Sequence, residues 1–355
     1  LLCIFTKKMA MHHPLRVSEI HRLTTKSVVL TFEVPETLTS VFQYEAGQYL
    51  SLEETLEGET VRRSYSICSA PSETMLQVGI KQIPNGRFSS YVNQQVLQGS
   101  VLSVGPPEGR FVLGTPKEGV QYTGIAAGSG ITPIWAIIKE ILNATKTSSF
   151  YLIYSNKSAE EEMFTNEIND LILLHPKRFF VFRTYSQKEV KGHAYGRIGS
   201  ALLDRYFEEI GFSSERFFLC GPEGMIHMAS DYLKEKGVPG SALYFELFTS
   251  SPSKNAGPAL FTGNYRLQVT CDSVTTPLEG TSGKSILDVA LQNKLDAPYS
   301  CQGGVCSSCI ARITKGTATM TSNQILTDEE IEEGLILSCQ AHPTSPEIAV
   351  DYDDV

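Results

Sequence analysis

The chain has no apolar run approaching the roughly 18 to 20 residues of a membrane-spanning helix, so it is expected neither to span nor to insert. Positive charge is in deficit: 30 Lys and Arg face 39 Asp and Glu, for a net charge of −9. That balance argues against nucleic acid, whose binding needs clustered cations, and fits a protein partner with a basic docking face. Cysteine is scarce, with eight in 355 residues, too few for a disulfide scaffold. Four of the eight nevertheless fall between Cys301 and Cys339, which points to metal in a reducing, cytoplasmic setting. Internal repeats and low-complexity tracts are missing as well. At the start, Leu1 to Phe5 precede Lys7 and Lys8, the reverse of a signal peptide and too short for one. Met9 or Met11 is a candidate natural start, so the first ten or so residues are set aside.

A length of 355 residues exceeds one ordinary core, and three domains are expected. Residues 14–115 read as short strands, among them Ser27 to Phe32, Ser64 to Ile67 and Val101 to Val104, separated by Pro, Gly and Ser turns. This grammar predicts an antiparallel β-barrel. From 116 to 248 strands alternate with helices: Tyr122 to Ala126, Ser149 to Ser155, Phe179 to Thr184 and Arg216 to Cys220 are each followed by a helical stretch. The pattern predicts an α/β domain with a parallel sheet. Residues 249–263 (TSSPSKNAGPALFTG) lack periodicity and read as a linker. Residues 264–355 read as an α+β module, with a hairpin, a helix from Ser285, and a second helix capped by Thr327 with Glu330 three residues on.

The spacing Cys301-x4-Cys306-x2-Cys309, with Cys339 after 29 further residues, matches the plant-type arrangement for a 2Fe-2S cluster. Four thiolates must converge on two irons, and Gly303 and Gly304 let the loop wrap closely by taking positive φ. Ser307 and Ser308 offer donors to the sulfurs. Structural zinc is the competing reading, although zinc sites usually pair two close Cys-x2-Cys knuckles and here the fourth cysteine stands alone. Cys3, Cys68 and Cys271 are isolated.

With CQGGVCSSC and TDEEIEEGLILSCQAHP in place, the chain resembles the ferredoxin-NADP reductase type oxidoreductases that end in a β-grasp 2Fe-2S ferredoxin domain. The resemblance is strongest to reductases of the phenylacetyl-CoA epoxygenase type and covers nearly everything after residue 14. It implies FAD in the barrel, held by Arg63-Ser64-Tyr65-Ser66 and by Gly86-Arg87-Phe88-Ser89, where a turn opens a helix whose amides can hold phosphate. Gly128-Ser129-Gly130-Ile131-Thr132-Pro133 closes the first strand of the α/β domain as a glycine turn able to approach a dinucleotide pyrophosphate. Cys220-Gly221-Pro222 is similar to the family element beside the nicotinamide. Glu246 matches the acidic residue near the flavin, and Phe248 follows it.

The resemblance therefore assigns catalytic positions to Ser66, Cys220 and Glu246, and cluster ligation to the four clustered cysteines. NADPH is favoured over NADH by Ser155-Asn156-Lys157, with Lys188 and Arg183 as further cations for a 2'-phosphate, although Gln187 stands where many NADPH enzymes carry Arg. A nicotinamide yields two electrons together and a 2Fe-2S cluster takes one, so a flavin must stand between them. The expected partner is an oxygenase, with partner choice residing in surface charges such as Asp328, Glu329, Glu330, Glu332 and Glu333. Reductases of other hydroxylases, ring-hydroxylating dioxygenases or acyl-CoA desaturases are the alternatives. A non-catalytic iron-sulfur or zinc interaction module stands further off.

Overall fold

Alternating apolar residues build the first sheet in the computed structural model, which describes residues 12–211, 213–248 and 263–355. Its strands are β1 (His13–Thr24), β2 (Ser27–Glu33), β3 (Tyr49–Leu56), β4 (Glu59–Ser66) and β5 (Leu76–Lys81), then α1 (Arg87–Gln94) and β6 (Val101–Val104). The order is β4-β3-β6-β1-β2-β5, antiparallel between all neighbours. The outer strands approach one another through a bridge between Ile67 and Val78. Leu15, Leu30, Leu50, Leu52, Val78 and Ile80 fill the interior, and α1 inserts Phe88 and Val92. β2 is buried on both faces: Val28, Leu30 and Phe32 point into this core while Val29 joins the next one.

The α/β grammar then takes over with β7 (Gln121–Ala127), α2 (Ile131–Ala144), β8 (Ser149–Asn156), α3 (Thr165–Leu174), β9 (Phe179–Tyr185), β10 (Ala194–Tyr195), α4 (Ser200–Ile210), β11 (Arg216–Gly221), α5 (Glu223–Glu235) and β12 (Leu243–Leu247). All neighbours in the order β10-β9-β8-β7-β11-β12 are parallel. The order reverses between β7 and β11, which is where such sheets place their ligands. Helix α2 is apolar nearly all round because it is covered on both sides. Ile134, Trp135, Ile138 and Ile141 share one core with Phe150, Leu152 and Tyr154 of β8, with Val29 of β2, and with Ala46 and Cys68 from the loops beside the first sheet. His12–Phe248 is accordingly one compact unit.

A second unit comprises the C-terminal residues. Within it lie β13 (Asn264–Cys271), β14 (Val274–Thr281), α6 (Ile286–Gln292), β15 (Ile310–Lys315), β16 (Ala318–Met320), α7 (Asp328–Glu332), β17 (Leu335–Leu337), β18 (Ala341–Pro343) and β19 (Glu347–Asp351). The main sheet runs β14-β13-β19-β15-β17, with β13 and β19 parallel. Ile286, Leu287, Val289 and Ala290 of α6 pack into its core. Ser285 and Thr327 form capping boxes with Asp288 and Glu330. The expected linker, 249–263, lies outside the described residues except for Gly263, as does the N-terminal segment through residue 11. Among the described residues no helix is long and apolar enough to cross a membrane.

Phe150 has no exposed surface and lies in the core shared by α2 and β8. Phe150→Ala is expected to cost about 3–5 kcal/mol. Urea denaturation of the variant measures it, and a loss below about 1 kcal/mol would contradict this packing.

Candidate functional site

Two consecutive arginines on β4 have different fates. Arg62 is held by Glu53 through Nη2 at 2.7 Å and Nε at 2.8 Å, whereas Arg63 is exposed and, among the described residues, donates only to the Arg62 carbonyl at 2.7 Å. Arg63 thus retains a guanidinium for an anion. The pleat sets Arg63 and Tyr65 on one face of β4 and Ser64 and Ser66 on the other. The Tyr65 ring lies 5.8 Å from that of Phe88, and burial raises its phenol above the usual range. Phe88 anchors α1 while Gly86 caps it without a side-chain bond. A Cβ at Gly86 would come within 2.5 Å of Ile83 and of the Ser89 hydroxyl. Arg87 is directed elsewhere: it pairs with Glu59 at 2.5 Å and donates to the Leu56 carbonyl at 3.0 Å, bracing the β3–β4 hairpin.

At the reversal of strand order, Gly128 takes φ +55° and the turn through Gly130 leads into α2. Gly130 is packed so closely that a Cβ would sit 2.1 Å from the Cys220 carbonyl oxygen. Gly221 in turn has Ala127 3.0 Å from where its Cβ would be, so the two loops interlock through glycine alone. Thr132 donates to the Ser129 carbonyl at 2.9 Å, and Pro133 sits in the first turn, where its missing N–H would lack a helical partner anyway. The Tyr154 hydroxyl lies 3.2 Å from the Gly128 carbonyl and accepts from the Met163 amide at 3.3 Å. Sequence reasoning missed Tyr154; its signal is a phenol in an otherwise apolar strand, which needs a partner once buried.

Ser66, Cys220 and Glu246 meet. Cys220 and Glu246 are register partners on β11 and β12, and the Ser66 hydroxyl donates to Glu246 Oε2 at 3.3 Å across a separation of 180 residues. All three are buried. Burial pushes the Glu246 carboxyl up to about 8, against the smaller opposing effect of the Ser66 bond, so it holds a proton at neutral pH. Burial, with Glu246 beside it, also raises the Cys220 thiol. Cys220 is therefore a small neutral group, not a nucleophile. Phe248 follows β12, partly exposed.

The cations suggested for a 2'-phosphate divide in the same way. Arg183 is half-buried and paired with Glu162 at 2.8 Å, donates to Asn169 at 2.8 Å, and shares Glu162 with the Tyr185 hydroxyl at 2.6 Å. Lys188 is paired with Glu160. Lys157 is exposed just beyond β8. Burial would raise the nearby Glu161 carboxyl, but Lys81 at 3.1 Å, with Lys157 and Lys26 behind it, holds it below its usual value. Lys26, in the β1–β2 turn, and Lys81, at the end of β5, had no sequence signal linking them to this edge.

In the C-terminal unit the cysteines form two pairs. The Cys306 thiol donates to Cys301 and the Cys309 thiol to Cys339, which holds Cys301 at about 6 and Cys339 below its ordinary value, burial opposing both. Backbone amides point at the sulfurs: those of Gly303, Val305 and Cys306 toward Cys301, Gly304 toward Cys339 and Ser308 toward Cys306. The Gly303 bond measures 3.3 Å. Gly304 takes positive φ as expected; the other left-handed residue is Gln302 at +54°, not Gly303. Among the described residues no three His, Cys, Asp or Glu side chains gather as a single-ion site. Thiols set two by two and bathed in amide donors fit two irons and the negative charge of a 2Fe-2S cluster.

Because the folded value of Glu246 is raised, its contribution to stability is fully present below the unfolded value near 4.5. It is lost as pH rises toward about 8. Glu246→Gln is expected to flatten that decline, read by urea denaturation at several pH values. An unchanged slope would show that the carboxyl is not desolvated.

Three family models match in the order of the fold: an oxidoreductase FAD-binding domain at residues 14–113, an oxidoreductase NAD-binding domain at 125–231, and a 2Fe-2S iron-sulfur cluster binding domain at 269–344. The chain is 32% identical to a subunit of the 1,2-phenylacetyl-CoA epoxidase of Escherichia coli (strain K12), covering 97% of this chain and 99% of that one. It is 31% identical to the ferredoxin reductase component of 3-ketosteroid-9-alpha-monooxygenase from Mycolicibacterium smegmatis, over 96% and 97% of the two chains. In fold it is similar to phthalate dioxygenase reductase, with a TM-score of 0.61 at 21% identity over 96% of this chain and 98% of that one. It is likewise similar to a type IV self-sufficient cytochrome P450 monooxygenase, with a TM-score of 0.68 at 20% identity over 96% of this chain and 41% of that one. Full-length identity of about one third, joined to three matched domains, means that the chain belongs to the FAD- and NAD-binding, ferredoxin-reductase-type oxidoreductases that end in a 2Fe-2S domain and transfer electrons.

Proposed function

We propose that this reductase draws on NADPH and delivers electrons to an oxygenase partner of the phenylacetyl-CoA epoxygenase type. The observation that carries the partner class is the match to an epoxidase component over 97% of this chain and 99% of that one. The mycobacterial relative supports a second reading, in which the oxygenase acts on a steroid.

When bound, FAD accepts hydride from the nicotinamide and the 2Fe-2S cluster carries electrons singly. The chain's own residues position and insulate. Residues 14–115 are taken as the flavin domain, 116–248 as the nicotinamide domain, 249–263 as the linker and 264–355 as the ferredoxin domain. We read the six-stranded sheet as a barrel and the C-terminal sheet as a β-grasp. Arg63, the first-turn amides of Gly86 through Ser89, and Ser64 would hold the flavin's phosphates and ribityl chain, with Arg87 bracing the hairpin beside them. Tyr65, Ser66 and Phe248 would hold its ring. Gly128, Ser129, Gly130, Thr132 and Pro133 would seat the dinucleotide pyrophosphate, and Cys220, Gly221 and Pro222 would border the nicotinamide. Protonated Glu246 and the Ser66 hydroxyl form a buried proton-holding pair at that point. Cys301, Cys306, Cys309 and Cys339 would ligate the cluster.

NADPH is preferred because Lys157 carries no ion pair of its own among the described residues, while Lys26 and Lys81 add charge around Glu161 nearby. Arg183, locked by Glu162, is not a phosphate ligand in this reading. The cysteines of the described residues are all unbonded to one another, which supports a reducing, cytoplasmic setting.

Anaerobic NADPH is expected to bleach flavin and cluster absorbance together, and an unchanged spectrum would favour a non-catalytic module. Lys157→Ala is expected to raise the KM for NADPH about 10-fold, equivalent to about 1.4 kcal/mol, and to leave the KM for NADH alone. Steady-state kinetics with both nucleotides decide; equal effects on the two would remove Lys157 from the 2'-phosphate. Affinity capture from native extract that returns a steroid hydroxylase in place of an epoxygenase would favour the second reading.

A further inference from the structure

Cys339 stands 30 residues beyond Cys309, so its placement against the other three thiols depends on contacts outside the cysteine loop. The residues on either side of it supply them. Ser338, with no exposed surface, directs both its backbone amide and its hydroxyl at the Cys309 carbonyl, each at 3.0 Å. The Tyr352 hydroxyl, also buried, donates to Ser338 Oγ at 2.8 Å and so fixes the direction of the serine proton. On the other side, Gln340 Nε2 donates to the Gln302 carbonyl at 3.0 Å, and its Oε1 accepts from the Thr321 hydroxyl at 2.8 Å. Gln302 is the non-glycine residue held at φ +54° next to Cys301, a conformation that persists only where its surroundings enforce it.

We propose that Ser338 and Gln340 are positioning residues that clamp Cys339 in register with the other ligands, Ser338 onto the Cys309 segment and Gln340 onto the Cys301 segment, with Tyr352 locking the serine. Each flanking residue addresses a different thiol pair. Ser338 therefore sets the spacing within the Cys309–Cys339 pair and Gln340 the separation between the two pairs, the dimensions a two-iron cluster must match. Ser338 acts through a carbonyl, so its role is the geometry of the ligands. This inference rests on the reading of the four cysteines as 2Fe-2S ligands.

The test uses the full chain with FAD, reconstituted anaerobically with iron and sulfide, as wild type, Ser338→Ala, Gln340→Ala, Tyr352→Phe and Ser338→Thr. Iron and labile sulfide per chain, the g-values of the reduced cluster, and the rate of cluster loss to a chelator are measured, with flavin content as the folding control. Ser338→Ala and Gln340→Ala are expected to lose the cluster about 10-fold faster and to shift the g-values. Tyr352→Phe is expected to lose it faster by a smaller factor. Ser338→Thr, which keeps the hydroxyl, is expected to restore the wild-type rate. Unchanged loss rates and g-values in the two alanine variants overturn the clamp. A wild type that assembles no 2Fe-2S cluster overturns the ligand reading itself, a different failure recognised before any variant is compared.

Discussion

Everything in the larger unit's site depends on one close approach, that of Gly130 to the Cys220 carbonyl, where a Cβ would have only 2.1 Å. Hydrogen is the substituent that fits. The contact lets the turn after β7 and the loop after β11 interlock at the reversal of strand order, where such sheets open their crevice. It also fixes β11 against β7 at the level where Cys220 faces Glu246 on β12. Ser66 arrives from the other sheet because α2 packs in one core with Val29, Ala46 and Cys68 of the first domain, which holds β4 beside the parallel strands.

A buried carboxyl at that junction breaks the usual rule that charged side chains stay wet. It is tolerated because Glu246 remains protonated and accepts from Ser66, so no unpaired charge is buried. Such local violations concentrate at functional positions. Hydride transfer needs no strong nucleophile, and Cys220, neutral and fully buried, offers none. The C-terminal unit solves the opposite electrostatic problem. Its thiols would carry negative charge, and the chain answers with converging amides from Gly303, Val305, Cys306, Gly304 and Ser308. One residue type thus serves two ends: burial keeps Cys220 protonated, while the Cys306 thiol, seconded by amide donors, lowers the Cys301 thiol against its own burial.

Local periodicity made most of the fold legible. The alternation of β8 and β9 with helices, the hairpin of β13 and β14, and the capping boxes at Ser285 and Thr327 all follow from short-range chemistry. β1 was harder to delimit. A register shift between Val17 and Glu19 interrupts its inward alternation, so period-two reasoning loses the strand where the sheet bends. The long reach of β19, which pairs in parallel with β13, likewise has no local marker.

What the sequence determined by itself was chemistry: four cysteines at a spacing suited to two irons, glycine at the turn that closes the first parallel strand, and a domain order that steps from hydride to single electrons. Those features are carried by residue identity and short spacing, and so survive in a linear text. What only the tertiary structure decided was which like residues are available. Arg62 and Arg63 are neighbours in sequence, yet one is consumed by Glu53. Arg87 and Arg183 carry the same guanidinium as Arg63 but are held by Glu59 and Glu162, and Lys188 by Glu160. Whether a charge is free for a ligand depends on partners brought from distant segments, a property of packing that spacing along the chain does not encode.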